Sequence, residues 1–261
     1  MSREVKVHLL PVLFEPEDVR GGIAVIIDVL RASTTIVHAL AHGAKAVIPT
    51  GEVDEARRIA ADFPKGSVLL GGERAGLLID GFDLDNNPFA YPPEVVADKT
   101  IVFTTSNGTK ALLRASRADR ILIGSFVNLQ AVVYELFADV RPIHLVCAGT
   151  CGTVTLEDVL CAGAICTVIA ELIDDCKLKA LNCTDDQTQL ALDHYRSRVS
   201  RTGFSTNEAI HEAVRLGYGG RNCTRLGFDD QIKRAAHVDL FDIVPEYDKS
   251  TRTITIASPR Q

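Results

Sequence analysis

The sequence predicts a layered α/β domain with a largely parallel central sheet, and three observations carry that expectation. Short runs of Val, Ile and Leu recur at 23–27, 68–70, 101–103, 121–123 and 143–147, and continuous rather than alternating apolar runs are those of strands buried on both faces. Segments with helical spacing separate them, at 36–42, 53–63, 109–115, 129–138 and 156–172; this is the βαβ alternation of a parallel sheet with right-handed crossovers. Several runs also stop on glycine or on a charged residue, which places polar groups at the carboxyl edge of the sheet, where such folds bind ligands.

In chain order, residues 5–10 open as a strand, and 16–22 turn into the run Ile23-Ala24-Val25-Ile26-Ile27, which stops on Asp28. Arg31, Ser33 and Thr34 follow, with Ser33 or Thr34 as the expected N-cap of the next helix. A third strand at 46–49 and an amphipathic helix at 53–63 lead to the strand 66–74, which ends on Gly71-Gly72-Glu73-Arg74. The irregular stretch 76–93 is long for a compact domain, and such loops usually carry function. After 174 the chain becomes more polar, with amphipathic helices at 190–199, 205–216 and 228–236 and strands at 241–245 and 253–256. The Thr-Ile alternation of the last strand has the period of a half-exposed strand, antiparallel at an edge. No Ser/Gly/Pro-rich linker sets this part off, so residues 1–261 read as one domain, with 174–261 as a helical and edge-strand cover.

At 261 residues and 46% hydrophobic the chain can bury a full core. A net charge of -6 without a basic stripe argues against a nucleic-acid surface. Any anion must then be held locally. The seven cysteines are odd in number and lack paired CxxC spacing, which suits reduced thiols in a cytosolic protein. No long apolar stretch reads as a signal peptide or membrane span.

Asp28, Arg31 and the hydroxyls of Ser33 and Thr34 meet at a strand-to-helix junction, which predicts a metal-assisted phosphate site. Asp28 could equally cap the turn, and Arg31 could pair with it. Thr104-Thr105-Ser106-Asn107-Gly108-Thr109 forms a second anion nest or a plain capped turn; it lacks the Gly-Lys-Ser/Thr ending of a Walker A loop. Magnesium needs only one or two carboxylates, so Asp28 with one or two of Glu73, Asp83, Glu157 and Asp158 would suffice. Glu157 and Asp158 also offset a helix dipole. Cys147, at a strand end before Gly149, is either a nucleophilic thiol or a small buried residue. His38 and His42 share a helix face, but the histidines show no metal spacing.

Taken in order, Asp28-Val29-Leu30-Arg31-Ala32-Ser33-Thr34-Thr35, Gly71-Gly72-Glu73-Arg74, Gly81-Phe82-Asp83, the Thr104–Thr109 segment, Cys147-Ala148-Gly149, Glu157–Ala164, Leu226-Gly227-Phe228-Asp229-Asp230 and Val244-Pro245 resemble the 2-phosphosulfolactate phosphatases over nearly the whole chain. The resemblance implies a three-layer α/β/α fold that often self-associates. It also implies a Mg²⁺-dependent hydrolysis of 2-phospho-3-sulfolactate to 3-sulfolactate and phosphate, a step of coenzyme M biosynthesis. Asp85-Asn86-Asn87-Pro88 stands where Gly-Asn-Ser-Pro is more usual.

On this reading Asp28, Arg31, Glu73 and Asp83 form the catalytic set. Asp28 either attacks phosphorus or holds the metal with Glu157 and Asp158, and Glu73 or Asp83 serves as general acid. Arg31, Ser33, Thr34, Thr105, Asn107, Gly108 and Thr109 bind the substrate, a small anionic phosphate ester. Two rivals stand beside it. One is a cysteine hydrolase of the isochorismatase-like kind, using Asp28 and Cys147, although Leu30 stands where that family favours Gln. The other is a non-catalytic anion-binding module.

Overall fold

The computed structural model describes residues 3–175, 183, 185–199 and 205–257. Cys176 and parts of the expected 174–261 cover therefore lie outside the described residues. Strands β1 (Val5–His8) and β2 (Ile23–Ile27) precede helix α1 (Ala32–Ala41); β3 (Ala46–Thr50) leads to α2 (Val53–Ala61), and β4 (Val68–Arg74) to β5 (Leu77–Leu78) and the single-turn α3 (Pro93–Val96). Next come β6 (Thr100–Thr104), α4 (Gly108–Arg114), β7 (Arg120–Gly124), α5 (Leu129–Phe137), β8 (Ile143–Cys147) and α6 (Leu156–Asp175). The described chain closes with α7 (Asp186–Val199), α8 (Thr206–Leu216), α9 (Tyr218–Arg225), α10 (Asp229–Ala235), β9 (Pro245–Asp248) and β10 (Thr253–Ile256).

The sheet is mixed and runs β1-β8-β2-β7-β9-β10-β3-β6-β4-β5. Two parallel blocks, β1-β8-β2-β7 and β3-β6-β4, carry the crossovers. Side-chain alternation then builds the layers. Ile23, Val25 and Ile27 of β2 enter the core beneath α5, α6 and the later helices, whereas Ala24 and Ile26 enter the core beneath α1 and α4. In β6, Ile101 and Phe103 join that second core, and Val102 packs under α2. Helices therefore cover both faces, the three-layer α/β/α arrangement expected. The outer edge of β1 is closed by side chains from the start of α7, where Thr188 Oγ1 accepts from the Val7 N–H at 2.9 Å and Gln187 Oε1 from the Leu9 N–H at 3.0 Å.

Two expectations need correction. The Thr-Ile strand β10 is antiparallel but not at an edge: with β9 it forms a hairpin that joins the two parallel blocks, pairing Ile254 with Val47 and, through β9, Glu246 with Leu122. Alternation reports one buried face, here Ile254, and says nothing of position across the sheet. Residues 241–244 are not a strand either, because their backbone is held elsewhere: Phe241 N–H bonds to Val127 O, and Asn128 Nδ2 donates to Ile243 O at 3.1 Å.

Candidate active site

β2 delivers Asp28 to the carboxyl edge, and the turn after it is built by hydroxyls. Ser33 Oγ accepts from the Asp28 N–H at 2.9 Å and donates to Ile26 O at 3.2 Å. Thr34 Oγ1 donates to Val29 O at 2.8 Å and lies 2.8 Å from Ser125 Oγ. Neither residue caps α1, whose N-cap is Arg31. Both hydroxyls instead bond backward to the loop, so their role is to fix the position of Asp28 rather than to meet substrate.

Asp28, Arg31, Glu73 and Asn107 line one cleft of about 240 Å³, brought together from the ends of β2, β4 and β6. Ser33, Thr105, Gly108 and Thr109 line a mainly apolar cavity of about 20 Å³ that also touches Asp28. At Gly108 the need is space: a Cβ there would lie 2.9 Å from Asp28 Oδ2, so only glycine lets α4 start against that carboxylate. Asp83 is not in the cleft. It is exposed and its Oδ2 accepts from the Leu70 N–H at 2.8 Å, closing the loop after β5 and leaving no reach to Asp28.

The cleft's two carboxylates differ in what they have left to offer. Glu73 is fully engaged, Oε1 by the Ser106 N–H at 2.9 Å and Oε2 by the Gly76 N–H at 2.7 Å. That makes it a tie between the β4 and β6 loops, a poor arrangement for the general acid expected of it. Asp28 accepts only a long bond from Ala32 N–H on Oδ1, 3.3 Å, and no protein donor meets Oδ2 among the described residues. Burial pushes Asp28 up to about 8, with Asp158 and Glu73 adding to the shift and Arg31 opposing it.

Arg31 is buried and lies between neutral partners. Nη1 donates to Gln231 Oε1 at 2.8 Å, Nη2 to Gly76 O at 2.7 Å, and the guanidinium carbon sits 4.8 Å from the Phe228 ring centroid. Among the described residues it forms no ion pair. A buried cation without a counter-ion is costly unless an anion is supplied from outside.

Asp158 and Glu157 have separate duties. Asp158 clamps two loops, with Oδ1 taking the Val29 N–H at 2.9 Å and Oδ2 the Gly149 N–H and Thr155 hydroxyl, both at 3.0 Å. Glu157 lies under the start of α9, where a Cβ at Gly219 would come within 2.0 Å of its Oε1. Its Oε2 is sealed from solvent and has no hydrogen-bond partner. Burial and then Asp28 push Glu157 up to about 7, and burial with Glu157 does the same for Asp158. Three His, Cys, Asp or Glu side chains converge as a preformed metal cage nowhere among the described residues.

Cys147 is fully buried in the core, and burial holds its thiol well above the ordinary value. A thiol in that setting does not ionise to attack substrate. Cys147→Ala is accordingly expected to keep turnover within about threefold of wild type, within the usual reach of a small core change. A steady-state assay checks this; loss of activity with the fold intact would restore the cysteine-hydrolase reading.

Several cleft residues escape a sequence reading. Tyr218, Gly219 and Asn222 come from α9, a helix with two consecutive glycines that propensity opposes, Leu226 is its C-cap, and Asn86 comes from the irregular loop. Gln231 and Phe228 hold Arg31 from roughly 200 residues away. The Leu226–Asp230 run was the available signal, though it does not reveal which side chain it serves.

A layered α/β/α fold with a charged cleft at the carboxyl ends of its parallel strands is an arrangement that binds small ligands at that edge. Comparison with known proteins gives the particular group. The chain belongs to the 2-phosphosulpholactate phosphatase family, whose model matches residues 9–250. That family is one of phosphoric monoester hydrolases. Relatives named probable 2-phosphosulfolactate phosphatase include those of Caldanaerobacter subterraneus subsp. tengcongensis, 38% identical over 88% of this chain and 89% of that protein, and Symbiobacterium thermophilum, 38% identical over 88% and 93%. A third, from Clostridium acetobutylicum, is 34% identical over 88% and 92%. No helix among the described residues is long and apolar enough to cross a membrane.

Proposed function

We propose that this cleft hydrolyses 2-phospho-3-sulfolactate to 3-sulfolactate and phosphate, a coenzyme M biosynthesis type step. One observation carries the reading: Arg31, a buried guanidinium that forms no ion pair among the described residues, lines the same cleft as Asp28 Oδ2, a carboxylate oxygen that meets no protein donor among them. Arg31 binds and orients the phosphoryl oxygens with the edge of its fork that Gln231 and Gly76 leave open. Asp28 stands at the reacting phosphoryl group, where the bond from phosphorus to the ester oxygen breaks and water supplies the new oxygen to phosphate and a proton to the alcohol. Glu73 and Asp158 keep the loops that carry these groups in register.

Mg²⁺ fits the residues present. Among the described residues Glu157 Oε2 is buried without a partner and Asp28 Oδ2 meets no protein donor, so these two carboxylates would hold the ion. When bound, it offsets charge on the phosphoryl oxygens. Both carboxyls sit above their ordinary range, and a divalent cation is the natural counter-charge for them. A cytosolic, self-associating enzyme accords with the free thiols of the described cysteines and with exposed Leu77, Leu78 and Tyr134.

The test is phosphate release from racemic 2-phosphosulfolactate with Mg²⁺ and after EDTA. Release that stops with chelator and returns with added Mg²⁺ is expected. Undiminished release in EDTA would remove the metal role from Asp28 and Glu157.

A further inference from the structure

The cleft contains a polar side chain that the roles above leave unused. Asn86, from the loop between β5 and α3, lines the cleft beside Arg31 and Glu73 yet is only 3% exposed. Its Oδ1 is sealed from solvent with no hydrogen-bond partner, whereas its Nδ2 is not among the sealed atoms and meets no protein acceptor among the described residues. Sealing the carboxamide oxygen without a donor costs stability without return, and native chains rarely keep such a group without a use for it.

The local structure does not need that side chain. Asp85 Oδ1 takes the Asn87 N–H at 3.2 Å, Asn87 Oδ1 takes the Phe89 N–H at 3.0 Å, and the buried Tyr91 hydroxyl fixes Asp85 O at 2.7 Å. The contact of Asn86 with α1 runs through its backbone, where Asn86 O accepts from Thr35 Oγ1 at 3.4 Å. Any residue could provide that carbonyl. The turn is therefore pinned on both sides of Asn86 while its carboxamide is left idle.

We infer that Asn86 is a substrate-binding residue: its amide N–H donates to an oxyanion of the bound ester, next to the charge supplied by Arg31. This rests on the phosphate-ester reading of the cleft. An ionised phosphate ester of a sulfonated acid presents only acceptors, so the NH₂ end of the carboxamide is the end it can engage. A neutral donor adds directionality without burying a second cation.

The experiment compares Asn86→Leu and Asn86→Asp with wild type, with Asn87→Ala as a neighbour that serves only the turn. Measured for each are kcat and KM on 2-phosphosulfolactate, the dissociation constant of inorganic phosphate by calorimetry, and the thermal midpoint. The inference predicts a KM and a phosphate Kd raised at least about tenfold in Asn86→Leu, as for one lost hydrogen bond to a charged group. Asn86→Asp should be worse still, because it sets a carboxylate against the anion. The thermal midpoint of Asn86→Leu should stay at or above that of wild type, and Asn87→Ala should lower the midpoint with KM unchanged. KM and phosphate affinity at wild-type values in both Asn86 variants would overturn the inference alone, and if Asn86→Leu does not fold, the isosteric Asn86→Asp decides. Wild-type protein that neither releases nor binds phosphate would overturn the function reading, and this inference with it.

Discussion

Asp28→Asn abolishes phosphate release, by roughly 10³-fold or more, the scale of removing a group that acts on the reacting centre. The same change raises the thermal midpoint of the metal-free protein at pH 8. The two effects have one cause. Asp28 sits buried beside Asp158 and Glu73, so its carboxyl holds its proton to about 8; the amide keeps the shape and removes the cost of ionising there. A gain of about 1–2 kcal/mol would move the midpoint of a domain this size by a few degrees.

The pH dependence fixes the sign. Asp28, Glu157 and Asp158 are pushed up to about 8, 7 and 7, so the folded chain binds more protons than the unfolded chain above their ordinary range. Stability then falls as pH rises through that window. His8, His38 and His144, which burial lowers to about 4, act in the opposite direction, adding stability as pH rises from about 4 to 6.5. Above about pH 6.5 these histidines no longer contribute, and the raised carboxyls set the slope up to about pH 8. Melts in EDTA should show a midpoint that declines across this interval in wild type and declines less in Asp28→Asn. A wild-type midpoint that rises there, or an Asp28→Asn variant with normal turnover, would remove Asp28 from its assigned role.

The second large effect is at Arg31. Arg31→Ala is expected to lower kcat/KM by about 10²–10³-fold, the loss expected when a preorganised donor aimed at a phosphoryl group is removed. Arg31→Lys should recover only part of it. A lysine carries the charge but cannot reproduce the planar fork that reaches Gln231 Oε1 and Gly76 O while stacking on Phe228. Steady-state kinetics decide: equal kcat/KM for Arg31→Lys and wild type would mean that charge alone matters and that the Gln231 and Phe228 supports are incidental.

What the sequence shows is the local part of this account. An apolar β-branched run that stops on Asp28 and turns through Arg31 can be read as a strand end at the ligand edge, because burial pattern and chain direction are both local. Glu73 is legible as a charged strand end, but its engagement by the Ser106 and Gly76 N–H groups is not, since that depends on where the β6 loop arrives. Asp83 looks equivalent in sequence and sits outside the cleft for the same reason. The hydroxyls of Ser33 and Thr34 suggest anion donors by type, whereas their spacing lets them bond back to Ile26 and Val29. The hairpin between the parallel blocks is set by pairings as distant as Leu122 with Glu246, which no periodicity encodes. Asn86 is legible only as part of the Asp85-Asn86-Asn87-Pro88 run in a loop long enough to carry function; that its side chain is buried without a partner for Oδ1 is not.

The most direct measurement is kcat/KM for phosphate release from 2-phosphosulfolactate beside 2-phospholactate, phosphoglycolate and p-nitrophenyl phosphate, each with Mg²⁺. Release from the sulfonated ester with the highest kcat/KM of the four is expected. Release from none of them, by protein that is folded and metal-replete, would contradict it.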